Sequence, residues 1–140
     1  TNRYRRLMNW VPMGISYAMF YCTRYNVAAG NVKTVQDEVG LPSTAFAFVI
    51  TSGFWTYAMT APLTGIVTDR IGGRNGMIVA IAGAAVCNLG LGWLFSTPSV
   101  PHESRFPLFA GLYSANIFFQ GFGTSAVVKI NAAWYAPVER

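Results

Sequence analysis

Residues 65–74 read GIVTDRIGGR, a charged turn set between two long apolar stretches. Gly72 and Gly73 permit the positive-φ conformations that a tight helix–helix connection needs, and Arg70 and Arg74 would suit any polar turn. Gly65 is harder to explain, because it stands one helical turn before Asp69. The spacing Gly-x-x-x-Asp-Arg-x-Gly-Gly-Arg is therefore more specific than its charges.

The turn separates apolar stretches at 44–68 and 76–96, and the pattern recurs at 7–29 and 106–128. A helix crossing a bilayer needs about 20 mostly apolar residues, so each stretch predicts a span. Composition agrees: 53% of the 140 residues are hydrophobic and 15% aromatic, while 11% are charged, against about 25% charged in soluble domains. The fold class expected is all-α, a polytopic membrane helix bundle with short connections. The 7–29 stretch is too long for a secretory signal, is interrupted by Arg24, and is followed by further apolar spans.

Arg3, Arg5 and Arg6 precede the first span, and Arg70 and Arg74 follow the second. The 31–43 connection has Lys33 beside Asp37 and Glu38, and the 97–105 connection has Arg105 beside His102 and Glu103. By the positive-inside rule both ends and the 69–75 turn face the cytoplasm. The expectation is a multi-pass integral membrane protein with a cytoplasmic N-terminus, in the plasma membrane or, if bacterial, the inner membrane. Pro42 followed by Ser43 or Thr44 predicts a helix N-cap, and STPSVPHESRFP at 96–107 reads as a proline-punctuated loop. Trp10, Trp93 and Trp134 fall near span ends, where aromatic belts occur.

The net charge of +5 sorts by loop and forms no single patch, so nucleic acid is not an expected partner. Cys22 and Cys87 both lie within spans, where a thiol behaves as a small hydrophobe. His102 has no second ligand type at metal spacing. No phosphate-cradling loop, nucleophile elbow, His-Glu motif or cysteine cluster is present. No catalytic residue, metal or cofactor is expected, and the reading is not an enzyme.

Positions 17, 21, 24 and 28 share one helix face, which reads Tyr17, Tyr21, Arg24, Ala28. Arg24 lies roughly 25 Å of helix beyond Leu7, and placing a charge within a span costs at least about 2.5–3.5 kcal/mol on insertion scales. A guanidinium that lines a water-filled cavity and binds an anion would account for the cost, its planar fork suiting carboxylate or phosphate. The other account is a structural pair with a buried acid, yet none of the five acids falls inside a span.

Gly76, Ala80 and Ala84 in the third span, and Gly121 and Ser125 in the fourth, form small-xxx-small rows that let helices approach closely. Gln120 and Asn116 lie one turn apart and read as hydrogen-bonding glue between helices or as cavity lining. Lys129 stands near the end of the fourth span, as either an interfacial anchor or a gate contact.

The 65–74 stretch resembles the cytoplasmic signature loop of the major facilitator superfamily, whose members have two six-helix halves around a central cavity. Within it, YRRLMNWVPMGISYAMFYCTRYNVA at 4–28 and FFQGFGTSAVVKINAAWYAPVER at 118–140 resemble the organophosphate:inorganic phosphate antiporters. The shared features are a basic N-terminus, two tyrosines and Arg-x-Asn in the first helix, then Gln120-Gly121-x-Gly123, Lys129, Trp134 and Glu139-Arg140 in and after the fourth. The resemblance implies the first four transmembrane helices of a facilitator fold. It casts Arg24 as the substrate-binding arginine, with Tyr17, Tyr21 and Tyr57 as cavity tyrosines. Gly65, Asp69, Arg70, Gly73 and Arg74 become the loop that bridges the two halves and favours one access state.

The chain departs from that pattern in its cavity. Ala61 stands where phosphate-ester members have a lysine, Tyr25 where a basic residue often follows the first-helix arginine, and Thr124, Ser125 and Ala126 where a tryptophan and two prolines are usual. Fewer cationic positions lower the expected cavity charge.

Four helices do not enclose an alternating-access site of the paired-repeat kind. Residues 1–140 are accordingly expected to be the N-terminal part of a longer transporter, with the C-terminal half of the same transporter, a small anionic substrate and the lipid bilayer as partners. The function expected is a secondary active, antiporter-type carrier of an organic or inorganic anion, such as a phosphorylated metabolite in exchange for phosphate. The alternatives are a transporter-like receptor that senses an anion, and a small four-helix membrane protein that oligomerises.

Overall fold

The computed structural model describes residues 2–30, 33, 36–37, 40–97 and 99–134. Helices α1 (Asn2–Ala29), α2 (Ser43–Ile71), α3 (Gly73–Ser96) and α4 (His102–Trp134) follow one another in the chain. Among the described residues there is no strand, so the structure is all-α, as expected. Glu38, Glu139 and Arg140, and the side chain of His102, lie outside the described residues.

The helices extend past the predicted spans because apolarity marks the stretch suited to hydrocarbon and a helix continues beyond it. Helix α4 begins at His102, so the proline-punctuated loop is shorter than expected and Pro107 lies inside the helix. Helix α2 is capped by Pro42 in an extended conformation with no side-chain hydrogen bond, and neither Ser43 nor Thr44 serves as N-cap.

Judged by length and apolarity alone, only α3 among the described residues suffices to cross a membrane. By that measure alone the expected stretches at 7–29, 44–68 and 106–128 fall short. Helix α2 shows why: Thr51, Ser52, Thr56, Thr60 and Thr64 dilute its apolarity, yet each hydroxyl donates to a carbonyl three or four residues earlier, at 2.6 to 3.0 Å. Hydroxyls that are satisfied within their own helix reduce the cost of placing that helix in lipid. Met59, Val86 and Leu89 stand exposed on the outside of the bundle, a surface suited to hydrocarbon or to further helices.

The GIVTDRIGGR turn is made by a single residue. Gly72 has φ +89°, and its N–H donates to the Thr68 carbonyl at 2.9 Å. Gly73 does not share that conformation; it opens α3, and a Cβ there would lie 2.8 Å from Ile130 Cγ1 of α4. The first glycine makes the turn and the second allows the close approach.

Helix α3 buries Gly76, Ala80, Ala84, Cys87, Leu91 and Leu94 on one face, the row predicted to pack closely. A Cβ on Gly76 would meet the Thr68 side chain at 2.9 Å and the Ala126 Cβ at 3.5 Å. Lipid tails are as apolar as leucine, so such contacts hold helices together through dispersion rather than the hydrophobic effect. Gly121 of the second small-residue row lies against Thr64 of α2. At one end of the bundle Phe46, Val49, Leu94, Phe109 and Tyr113 form the larger apolar cluster, and towards the middle Phe20 of α1 packs with Ala80, Ala84 and Phe122.

Candidate functional site

Helix α1 presents Tyr17, Tyr21 and Arg24 as its 3.6-residue period requires, and α4 answers with Tyr113, Ile117, Gln120 and Thr124 on a face of its own. The half-buried Arg24 lies where these faces meet α2. Its Nε donates to Gln120 Oε1 at 2.6 Å. Its guanidinium carbon stands 4.9 Å from the Tyr57 ring centroid and 5.3 Å from that of Tyr21. Each such contact is worth about 0.5–2 kcal/mol, so the two rings offset part of the cost of taking the charge out of water.

Gln120 is fully buried. Its Nε2 donates to Thr23 Oγ1 at 3.0 Å and to Asn116 Oδ1 at 2.5 Å, while Asn116 Nδ2 donates to the Ala84 carbonyl at 3.2 Å. The buried pair is thus glue, joining α1, α3 and α4; it lines neither cleft beside α1 and reaches the site through its bond to the arginine. No carboxylate pairs with Arg24 among the described residues.

The tyrosines form a second polar group. The Tyr57 hydroxyl donates to Thr124 Oγ1 at 3.0 Å, and the Tyr17 and Tyr21 hydroxyls are 3.4 Å apart. Tyr21, Arg24, Tyr57 and Tyr113, with Gly53, Phe54 and others, line a cleft of about 280 Å³. Tyr17 is not among the residues lining that cleft; it meets Tyr21 from one turn earlier. A Cβ on Gly53 would lie 2.5 Å from the Tyr113 ring, so the bare backbone there leaves space for the ring at the cleft wall. A larger cleft, about 520 Å³, opens on the other side of α1 with Thr23, Asn26 and Asn88 as its polar lining and no charged side chain.

Sequence reasoning missed Tyr113 and took Thr124 only as a departure from a family pattern. The signal was present, because 113, 117, 120 and 124 share a helix face as 17, 21, 24 and 28 do.

The signature-loop residues gather elsewhere. On α2 Asp69 follows Tyr57 by 12 residues, roughly 18 Å of helix. The Lys129 ammonium donates to the Asp69 carbonyl oxygen at 2.6 Å and to its Oδ1 at 3.1 Å, tying α4 to the last turn of α2. Arg70 and Arg74 are exposed beside this pair. Gly65 has its nearest neighbour for an added Cβ, Ser125 Oγ, at 3.9 Å, so the described helices do not demand a glycine there.

Comparison with known proteins shows the family. The profile of the Major Facilitator Superfamily matches residues 13–140. The chain is 32% identical to the membrane sensor protein UhpC of Salmonella typhimurium and 31% identical to the UhpC of Escherichia coli K12, in each case over 99% of this chain and 29% of the relative. It is 22% identical to a probable hexose phosphate transport protein of Chlamydia trachomatis, over 99% of this chain and 28% of that protein. The chain thus spans less than a third of the length of the curated relatives it matches. No solved structure matches it.

Proposed function

The chain belongs to the Major Facilitator Superfamily, an integral membrane family, and from that premise we propose that it forms the anion-binding part of a secondary transporter that works by alternating access and exchange. The observation that carries this reading is Arg24: a half-buried guanidinium that lines a cleft and has two aromatic rings and a neutral amide as its neighbours.

Its neighbours stabilise the charge without cancelling it. An anion entering the cleft would neutralise Arg24 and lower the cost of closing the cavity around it, whereas the bare charge resists closure. A carrier that closes readily only when loaded exchanges one anion for another. Organic anions and inorganic phosphate both fit the planar guanidinium, and one of the transport proteins among the relatives is named as a probable hexose phosphate transport protein. In this reading the Asp69–Lys129 pair belongs to the gating end of the bundle.

A second reading is favoured by the two relatives named as membrane sensors: the same cleft binds an anion and reports it to a partner without moving it. Anion exchange by the full-length protein in liposomes separates the two. Exchange of phosphate or an organic anion, abolished by Arg24→Ala and slowed by Arg24→Lys, supports the carrier. Anion binding without exchange supports the sensor, and binding unaffected by Arg24→Ala removes both.

A further inference from the structure

We infer that Gln120 is the positioning residue for Arg24: it holds the guanidinium by Nε, leaves the two Nη groups as the fork that meets an anion, and keeps the site at one net positive charge. The inference rests on the anion-site reading above.

The orientation of the Gln120 amide follows from its neighbours. Thr23 Oγ1 gives its proton to the Phe20 carbonyl at 2.8 Å, so towards Gln120 it can only accept. Asn116 commits Nδ2 to the Ala84 carbonyl, so its Oδ1 also accepts. Both acceptors call for the Gln120 NH2 group, and its carbonyl oxygen is left for Arg24. Reversing the amide would set N–H against N–H at Arg24 and oxygen against oxygen at Asn116. Two backbone carbonyls, on α1 and α3, therefore dictate which Gln120 atom faces the arginine.

This has a geometric and an electrostatic consequence. A guanidinium offers a side edge, made of Nε and one Nη, and an end made of both Nη groups. Gln120 occupies Nε, so an anion is received end-on. Neither Nη group makes a hydrogen bond among the described residues. A glutamate of the same length would accept from Nε as well, but it would neutralise the charge and take the donors away from Thr23 and Asn116.

The test uses the full-length protein in detergent with inorganic phosphate as the probe, and isothermal titration as the readout. Gln120→Glu and Gln120→Met are compared with wild type, and Gln120→Met is repeated with Arg24→Lys, whose ammonium has no side edge to hold. Each single variant is expected to weaken phosphate binding roughly tenfold or more, with Gln120→Met changing it less than about twofold beside Arg24→Lys. Thermal unfolding identifies a variant that does not fold, and the other then decides. An equal effect of Gln120→Met on both backgrounds, or wild-type affinity in Gln120→Glu, overturns the positioning role. If Arg24→Ala abolishes binding while the Gln120 variants bind normally, only this inference falls. If wild type binds no phosphate, the anion-site reading falls with it.

Discussion

Lys129 grips Asp69 twice, by its carboxylate and by its backbone carbonyl, across the gap between α4 and the end of α2. The Asp69 side chain is 76% exposed and that of Lys129 34%, so solvent screens the ion pair and its worth is at most about 1 kcal/mol. The backbone carbonyl, one of the unpaired acceptors at the helix end, gains a charged donor.

Lys129→Met is therefore expected to leave the thermal unfolding midpoint nearly unchanged. If the pair belongs to a gate, the variant alters the rate of anion exchange at constant affinity. A large loss of thermal stability would show that the contact is structural instead.

The glycines of the turn should separate by mechanism. Gly72→Ala places a side chain at φ +89° and should cost about 1–3 kcal/mol in backbone strain. Gly73→Ala brings a Cβ against Ile130 Cγ1 and should cost about 1–3 kcal/mol through overpacking, with partial recovery when Ile130→Ala removes that carbon. Gly65→Ala meets nothing closer than 3.9 Å and should change stability by no more than about 0.5 kcal/mol. Denaturation of the three variants side by side checks the order. A normal midpoint but impaired exchange in Gly65→Ala would assign Gly65 to a motion rather than to this packing.

Tyr57 offers Arg24 a ring and offers Thr124 a hydroxyl. Tyr57→Phe keeps the ring and should weaken phosphate binding by less than about tenfold, because one neutral hydrogen bond contributes about 0.5–1.5 kcal/mol. Tyr57→Leu also removes the cation–π contact, worth up to about 2 kcal/mol, and should weaken binding further. Equal effects in titration would mean that the ring contributes nothing.

Much of the fold was legible along the chain. The four helices follow from apolar stretches and their punctuation, and the small-residue row on α3 declared its packing face before any partner was known. The boundaries were less legible, because polar helix beyond the apolar stretch resembles a loop when apolarity is the signal. Pro107, within α4, shows this directly. The hydroxyl-rich face of α2 shows the converse, since residues that lower its apolarity are satisfied by the helix itself.

The candidate site divides the same way. The isolated charge on an apolar helix, with no acid in any span, sufficed to single out Arg24, because its cost can be reckoned without knowing its neighbours. Helical period placed Tyr17 and Tyr21 near it. By itself the sequence determined which residues share each helix face and which of them must find a partner. Only the tertiary structure decided that Arg24 meets a neutral amide 96 residues away, that Gly72 turns while Gly73 packs, and that Lys129 reaches Asp69. A helical period fixes direction around one axis, whereas the partner across a gap depends on how far each helix slides and rotates against its neighbours, which packing over the whole bundle sets.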